Sequence, residues 1–208
     1  MLSNKSKLNS GDYVLDIASN DATLLNFYSK NIITVGVDPL ANKYIKSYKN
    51  VNYKISDFFS ADKILEKKIN KKFKIITALS VFYDAKDPNK FLSDVQRILH
   101  NDGIFMLEQA DLLSIVKLKM FDTICHEHLY YYSTKVIIDI VLKHNLRVFD
   151  LKKIDFEHFF LIRIDLHRAE LYITLHYPTL PYITLHPPTT PYITLHHPTS
   201  PYITLHHP

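Results

Sequence analysis

The sequence predicts an α/β fold, a Rossmann-like and doubly wound sheet of mostly parallel strands, because short apolar runs alternate with helical patterns. The runs that predict strands are residues 13–17, 34–38, 51–55, 73–79, 103–108 and 147–151. The clearest helix follows the fourth run, where Asp87 is a suitable N-cap, Pro88 stands at the first helical position and apolar residues fill one face. Further helical patterns cover residues 23–29 and 133–145. Strands and helices that alternate at this spacing are typical of βαβ units, whose strands pair in parallel.

An irregular, repetitive tail follows this core. From about Leu171 the chain repeats a decapeptide whose common part is Tyr-Ile-Thr-Leu-His, and prolines stand around the copies. Because proline cannot donate a hydrogen bond to a strand ladder, each strand-like run is cut short. We therefore predict a core of residues 1–165 and a decapeptide-repeat tail of residues 166–208 that is extended or disordered. The repeat histidines could bind a metal weakly, but a duplicated extension without chemistry explains them more simply.

Composition narrows the classes of partner. The formal net charge is +4 without a compact block of lysine and arginine, which argues against a nucleic-acid ligand. Cys125 is the single cysteine, so an intramolecular disulfide is excluded. No segment approaches the ~20 consecutive apolar residues of a membrane span. We expect a cytoplasmic protein whose partner is a small-molecule substrate, with no nucleic acid and no membrane, and with the oligomeric state left open.

Polar residues follow the first two predicted strands. In doubly wound sheets, ligands bind at the carboxyl ends of the strands. Asp16 and the turn at residues 18–22 come at the end of the first strand, and Asp38 ends the second. Each acid alone could be an ordinary turn or cap residue, but two acids in successive turns favour a ribose-binding site. The sequence lacks a G-x-G-x-x-G turn, which argues against a nicotinamide dinucleotide.

This region resembles the first motif of class I S-adenosylmethionine-dependent methyltransferases, and the string Ser-Asn-Asp-Ala-Thr-Leu-Leu at residues 19–25 resembles specifically the sugar C-methyltransferase family. The resemblance implies that the turn holds the methionine part of S-adenosylmethionine. It also implies that Asp38 binds both ribose hydroxyls and that Asp57 and Phe58 receive the adenine. The cofactor-binding residues predicted in this way are Asp16, Ala18, Asn20, Asp21, Asp38, Asp57, Phe58 and Ser80.

The most specific motif is the string Phe-Asp-Thr-Ile-Cys-His-Glu-His-Leu-Tyr-Tyr-Tyr-Ser at residues 121–133, which resembles the F-D-T-I-x-H-E-H-x-x-Y-x-S signature of the same family. The resemblance implies C-methylation of a nucleotide-linked keto-deoxysugar through an enolate. It makes His128 the catalytic base, with Glu127 and His126 as supporting groups. A histidine suits this step because its pKa lies near neutrality and a carboxylate can raise its basicity. A metal site, or histidines that satisfy backbone groups in a loop, are the alternatives.

Some residues depart from the family pattern. Ala18 and Ala22 stand where the family usually has glycine, and a methyl group disfavours positive φ there. Asp84 stands where some members have histidine, and Cys125 where some have tyrosine. The family also implies a zinc-binding domain before this core and a second α/β domain after it, and this sequence contains neither. The alternative hypothesis is therefore a catalytically inactive fragment that retains a cofactor-binding or interaction role.

Overall fold

The computed structural model describes residues 7–154 and 159–166, and in the repeat region only the strands at 173–175, 182–185, 192–197 and 200–206. The strands before the repeats are β1 (Tyr13–Ile17), β2 (Ile33–Val37), β3 (Tyr53–Ile55), β4 (Phe73–Leu79), β5 (Leu99–Ala110), β6 (Leu146–Lys153) and β7 (Phe159–Leu166). The α-helices are α1 (Ala61–Glu66), α2 (Pro88–Ile98), α3 (Leu112–Leu118) and α4 (Thr134–Lys143). Short 3-10 helices, among them Leu25–Phe27, Ser47–Asn50 and Phe82–Asp84, connect these elements.

A seven-stranded sheet has the order β3-β2-β1-β4-β5-β7-β6. The pairs among β1 to β5 are parallel, and β7 runs antiparallel to both β5 and β6. The prediction of a mostly parallel α/β sheet is therefore confirmed. The chain moves outward from β1 to β3 and then crosses back to β4, so a crevice opens at the carboxyl ends of β1 and β4. This reversal brings the polar ends of several strands to one place.

Burial on both faces of the sheet explains why the parallel strands read as continuous apolar runs. Leu15 and Ile76 belong to the main apolar cluster, which also contains the buried apolar residues of α2 and α4. Their neighbours Val14 and Ile75 point to the opposite face and pack in a smaller cluster with Tyr48. The smaller cluster lies under the region where β1 and β2 end, and so supports the candidate cofactor turn.

Helix α2 confirms the helix predicted from the Asp-Pro signal. The Asp87 carboxylate accepts a hydrogen bond from the backbone nitrogen of Lys90 at 2.9 Å, and Pro88 is the first helical residue. The apolar face is buried through Phe91, Leu92, Val95 and Ile98. The chain enters β5 at Leu99 without a loop, earlier than the strand predicted from residue 103.

The helical pattern at residues 23–29 gives only the 3-10 helix Leu25–Phe27. Here the Asn26 side chain donates to the backbone oxygen of Ala22 at 2.9 Å, beside the bond from its own backbone nitrogen to the same oxygen at 3.1 Å. Leu25 is the one buried residue of this helix, so packing gives little support to a longer one. The predicted helix at 133–145 is confirmed as α4, with the Ser133 side chain accepting from the nitrogen of Val136 at its start.

Strand β7 is not among the predicted strands. Its residues alternate between half-buried and buried along the antiparallel pairings, and this alternation in Phe-Phe-Leu-Ile-Arg-Ile-Asp-Leu is the signal that could have found it. Two cross-strand ion pairs join it to β6: Arg147 with Asp165 at 2.6 Å, and Arg163 with Asp150. Since both arginines are largely buried, loss of either acid would leave a costly unpaired charge.

The repeats contribute β8 (Ile173–Leu175), β9 (Tyr182–Leu185), β10 (Tyr192–His197) and β11 (Ser200–His206), which form a separate antiparallel sheet in the order β11-β10-β9-β8. Each strand falls on one copy of the Tyr-Ile-Thr-Leu run. The side chains of the repeat histidines lie outside the described part of the chain, and the division at residues 165 and 166 stays a prediction. Within the described ranges, no helix is long and apolar enough to cross a bilayer.

Candidate functional site

An open cavity of about 470 Å³ lies at the carboxyl ends of β1 to β4. This volume is within the range of small-molecule and cofactor sites. Its walls are largely apolar, with charged residues toward the start of α2. The lining residues are Ile17, Ala18, Val37, Pro39, Phe58, Phe59, Val81, Asp84, Ala85, Lys86, Asp87, Lys90, Phe91 and Asp94. An apolar slot flanked by aromatic rings suits a flat heterocycle such as adenine.

Asp16 is a buried carboxylate of β1; its chain neighbour Ile17 lines the cavity, whereas Asp16 itself is not among the lining residues. It is 6% exposed, and the Thr77 hydroxyl donates a hydrogen bond to it at 2.5 Å. Burial raises the pKa of Asp16 to about 6; the Thr77 hydrogen bond acts in the opposite direction, and the negative charge of Asp38 adds to the rise. A buried carboxylate with few compensating donors favours a cation beside it. The position therefore suits the positively charged end of a ligand.

The turn after β1 has an unusual backbone. Ala18, Asn20 and Ala22 have φ of 57°, 46° and 62°, in the left-handed region. Alanine in this region costs roughly 1–2 kcal/mol, whereas asparagine tolerates it better. The turn therefore keeps the conformation that the family's glycines would adopt, although alanine disfavours it. Its backbone is fixed by hydrogen bonds from Ala18 to the oxygen of Val37 at 2.8 Å and from Ala22 to the oxygen of Ser19 at 2.7 Å.

Asp38 directly follows β2, between the lining residues Val37 and Pro39, and its orientation is fixed. One carboxylate oxygen accepts from the backbone nitrogen of Asn20 at 3.0 Å, and the other accepts from that of Leu40 at 2.6 Å. Each oxygen of a carboxylate has two lone pairs, so each can accept one more hydrogen bond. The two oxygens could therefore receive two neighbouring hydroxyls while the backbone holds the carboxylate in place.

The other predicted cofactor residues are more scattered. Phe58 lines the cavity and is 72% exposed, whereas Asp57 forms an ion pair with Lys63 and is not among the lining residues. The Lys63 ammonium holds the pKa of Asp57 below its usual range. Asp21 is also exposed and accepts from the Thr23 hydroxyl at 2.7 Å.

Ser80 connects two strands instead of facing the cavity. It follows β4 with φ of 52°, and its hydroxyl donates to the carboxylate of Glu108 on β5 at 2.8 Å. Its backbone nitrogen donates to the oxygen of the same residue at 3.1 Å. Ser80 therefore fixes the relative position of the two strand ends.

His128 lies in a loop that packs against the chain after β4. Its ring is centred 4.2 Å from that of Tyr83, and its Nδ1 is 2.9 Å from the backbone oxygen of Thr123. A carbonyl oxygen only accepts, so Nδ1 carries a proton. In the neutral imidazole, the lone pair is then on Nε2, which is the arrangement that a proton acceptor needs.

His126 and Glu127 are placed differently from His128. Their side chains are 90% and 68% exposed and lie 3.5 Å apart. The sequence predicted a supporting role for both. Neither lines the cavity, and His128 does not line it either, but the charges of His128 and Glu127 both act on Asp84 in the cavity wall. In the described ranges, no group of three or more histidines, cysteines or acids could hold a metal ion.

Two functional candidates were not in the predicted site. Asp84 lines the cavity, and one of its oxygens is buried without a hydrogen-bond partner among the described residues. Burial raises the pKa of Asp84, and the positive charge of His128 opposes the rise. Asp84 thus lines the cavity and interacts electrostatically with His128. Tyr83 is buried under the same loop, and its backbone oxygen accepts from the nitrogens of Leu129 and Tyr130, both at 3.1 Å. The string Val-Phe-Tyr-Asp at 81–84 was the available signal.

Comparison with known proteins gives the family. A family model described as "Methyltransferase domain" matches residues 2–151. The C-methyltransferase NovU of Streptomyces niveus is 29% identical over 152 residues, which cover 71% of this chain and 36% of NovU. The chain therefore spans about a third of the length of this curated relative.

Solved structures agree on the fold. A chain of the complex between the Haloferax volcanii Trm112 methyltransferase activator and a methyltransferase aligns with a TM-score of 0.62 at 14% identity, covering 78% of this chain and 86% of that one. An S-adenosylmethionine-dependent methyltransferase from Clostridium acetobutylicum aligns with a TM-score of 0.58 at 14% identity, covering 76% and 85%. The O-methyltransferase NcsB1, solved with S-adenosylhomocysteine, aligns with a TM-score of 0.56 at 11% identity, covering 78% and 52%.

These likenesses show the class I methyltransferase fold, and the family match covers well over half of the chain. They do not favour the alternative of an inactive fragment. The chain belongs to the methyltransferase-domain family.

Proposed function

We propose that this domain methylates carbon on a nucleotide-linked keto-deoxysugar, by way of an enolate, with His128 as the catalytic base. The observation that carries the proposal is the imidazole of His128, held through Nδ1 by the Thr123 carbonyl and near Asp84 on the cavity wall. The NovU relative, whose name gives it as a C-methyltransferase, supports carbon as the site of methylation.

The chemistry requires a base. A carbon next to a ketone becomes nucleophilic when its proton is removed and the electron pair of the C–H bond moves toward the ketone oxygen. His128 would take that proton on Nε2 and so become an imidazolium. The nearby Asp84 carboxylate stabilises this charge, because an opposite charge at short range favours the protonated histidine. When bound, S-adenosylmethionine supplies the electrophilic methyl group.

The cofactor would lie along the crevice from β1 to β3. Asp16 would face its positively charged methionine end, Asp38 would accept from the ribose hydroxyls, and Phe58 would cover the adenine. The buried position of Asp16 and the two free lone-pair directions of Asp38 support these roles. A role for Asp57 at the adenine stays a prediction, since it would require the carboxylate to leave Lys63.

Cofactor binding is the first test. We expect S-adenosylhomocysteine to bind the unmutated chain, and Asp38→Ala to weaken binding about 100-fold or more, because two charge-assisted hydrogen bonds of about 1.5–3 kcal/mol each are lost. Asp139→Ala is the matched control, since this carboxylate lies on the exposed side of α4 in an ion pair with Lys135. Calorimetry that detects no uptake by the unmutated chain would contradict the proposal.

Activity is the second test. Purified protein with S-adenosylmethionine and a 4-keto sugar nucleotide should give a product one methyl group heavier, with the methyl on carbon by NMR. His128→Ala should remove this activity and keep S-adenosylhomocysteine binding. His100→Gln is the control, because His100 lies at the far end of β5 and bonds only locally, to the nitrogen of Asp102. Equal turnover by His128→Ala and the unmutated chain would exclude His128 as the base.

A further inference from the structure

Tyr48 touches the cofactor turn from outside it. This tyrosine belongs to the 3-10 helix Ser47–Asn50 between β2 and β3, and only 5% of its surface is exposed. No motif in the sequence distinguishes it. Its neighbour across the gap is the turn at residues 18–22, where two alanines hold a backbone conformation that they disfavour.

The Tyr48 hydroxyl bonds to two groups of the turn. It lies 2.9 Å from the backbone oxygen of Asn20 and 2.8 Å from the hydroxyl oxygen of Ser19. Since the Asn20 carbonyl can only accept, the single Tyr48 proton goes to it, and Ser19 donates to Tyr48. One phenol therefore fixes the carbonyl of one turn residue and the side chain of the residue before it.

A second contact joins the same two segments. The side-chain nitrogen of Asn26 donates to the backbone oxygen of Ala22 at 2.9 Å and to that of Ser47 at 3.0 Å. On its other side, the turn donates from the nitrogen of Asn20 to Asp38 at 3.0 Å. The turn is thus held between the carboxylate expected to bind ribose and the segment that carries Tyr48.

Gly36 of β2 makes this arrangement possible. A Cβ added at Gly36 would lie 2.8 Å from the Ser19 hydroxyl oxygen and 2.8 Å from a ring carbon of Tyr48. Both distances are too short for real contacts, so a side chain here would displace Tyr48 and Ser19 from their present positions. Gly36 therefore allows Tyr48 to approach the turn closely, whereas the turn itself contains no glycine.

We propose that Tyr48 is a positioning residue for the cofactor, which holds the turn at residues 18–22 in the left-handed geometry that glycines would otherwise adopt without cost. The inference rests on the proposed function, because it takes this turn as the one that cradles the cofactor. It adds a residue outside the turn on which cofactor affinity depends.

The test compares two tyrosines of the same small cluster. Tyr48→Phe removes the hydroxyl and keeps the ring, and we expect about tenfold weaker binding of S-adenosylhomocysteine by calorimetry, since a lost hydrogen bond leaves the Asn20 carbonyl unpaired. Tyr44→Phe is the matched control, because Tyr44 also packs partly against that cluster. Equal affinities for the two variants would overturn the inference.

A double-mutant cycle separates positioning from simple stability. Ala18→Gly relieves the left-handed strain, so it should restore affinity more in the Tyr48→Phe background than in the unmutated one. A merely structural hydroxyl would give additive effects, and additivity would overturn the inference.

Hydrogen exchange in the cofactor-free protein tests the role of Tyr48 independently of the proposed function. We expect Tyr48→Phe to accelerate exchange of the Ala22 amide, which bonds to Ser19 within the turn, and to leave the amides of α4 unchanged. If the unmutated chain bound no S-adenosylhomocysteine, the proposed function would fail, and the exchange result alone would decide whether Tyr48 holds the turn. Unchanged exchange at Ala22 would contradict the role of Tyr48 directly.

Discussion

The candidate cofactor turn, residues 18–22, and the proposed reacting loop, residues 119–132, are built in opposite ways. The turn follows β1 beside the parallel strand β2. Ser19 and Ala22 are buried, and hydrogen bonds join the turn to Val37, Asp38 and Tyr48. The reacting loop lies on the surface, where Phe121 is 74% exposed and Ile124 is 62% exposed. One region is rigid because the sheet holds it; the other depends on a few contacts.

Those few contacts are well placed. The loop is fixed to Tyr83 through the amides of Leu129 and Tyr130, and His128 is fixed to the loop itself through Thr123. Methyl transfer needs a cofactor held to within fractions of an ångström, but a loop that must admit an acceptor needs to move. We infer that the fold holds the cofactor turn rigidly, whereas the loop at residues 119–132 can move to admit an acceptor.

The largest expected effect is a change of stability with pH, which arises from Asp16 in the rigid region. Because the pKa of Asp16 rises from 3.8 to about 6 on folding, the unfolded chain binds fewer protons than the folded one between these values. Stability should therefore fall as pH rises from about 4 to 6, by about 3 kcal/mol, and stay level above that range. Asp16→Asn should remove this fall in denaturant titrations across pH, whereas Asp139→Asn should retain it. An unchanged slope in Asp16→Asn would contradict the prediction.

Gly36→Ala tests the packing beneath the turn. The added methyl group would overlap Ser19 and Tyr48, so we expect a loss of about 2 kcal/mol in the free energy of unfolding and weaker cofactor binding. Cys125→Ala in the reacting loop should change stability by less than about 0.5 kcal/mol. Urea titration of both variants measures the difference, and similar losses for the two would remove the contrast between the regions.

A left-handed residue in each region allows a matched comparison. Ala18 and Lys119 have φ of 57° and 54°, and Lys119 ends α3 on the surface. Glycine at either position should stabilise the fold by about 1 kcal/mol, since it adopts this conformation without a steric penalty. We expect the affinity for S-adenosylhomocysteine to change in Ala18→Gly and to stay unchanged in Lys119→Gly. A change of affinity in Lys119→Gly would show that the two regions are coupled.

The smallest expected effect concerns the exposed apolar side chains of the reacting loop. Phe121→Ser and Ile124→Ser remove little buried surface, so we expect stability within about 0.5 kcal/mol of the unmutated chain. Amides of this loop should also exchange faster than those of the cofactor turn. Slow exchange throughout residues 119–132 would mean that the loop is as rigid as the turn.

Several parts of the site could be predicted from sequence because they are local. Asp16 and Asp38 directly end apolar runs, so their place at the carboxyl edge of a parallel sheet follows from the pattern. The Asp-Pro start of α2 and the Ser133 cap of α4 are likewise local signals. The resemblance carried by residues 121–133 predicted His128 as the base, but the sequence could not rank it above His126, because the difference in their exposure comes from packing against the chain after β4.

Long-range contacts account for what was missed. Tyr48 meets the turn across 28 residues of sequence, and Ser80 meets Glu108 across another 28, so no spacing rule could reveal either pair. Asp57 follows a strand as predicted, yet its carboxylate forms an ion pair with Lys63 on α1. Strand β7 pairs with β5 and β6 in antiparallel fashion, a reversal that βαβ spacing does not predict.

The sequence by itself determined the alternation of strands and helices, the acids at the strand ends and the family resemblance, because periodicity, capping and motif order are properties of neighbouring residues. Only the tertiary structure decided which of these groups line a cavity, which tyrosine contacts the turn and which histidine ring packs against Tyr83. Those outcomes depend on burial and on hydrogen bonds between segments far apart in the chain, and such contacts exist only once the sheet has brought the segments together.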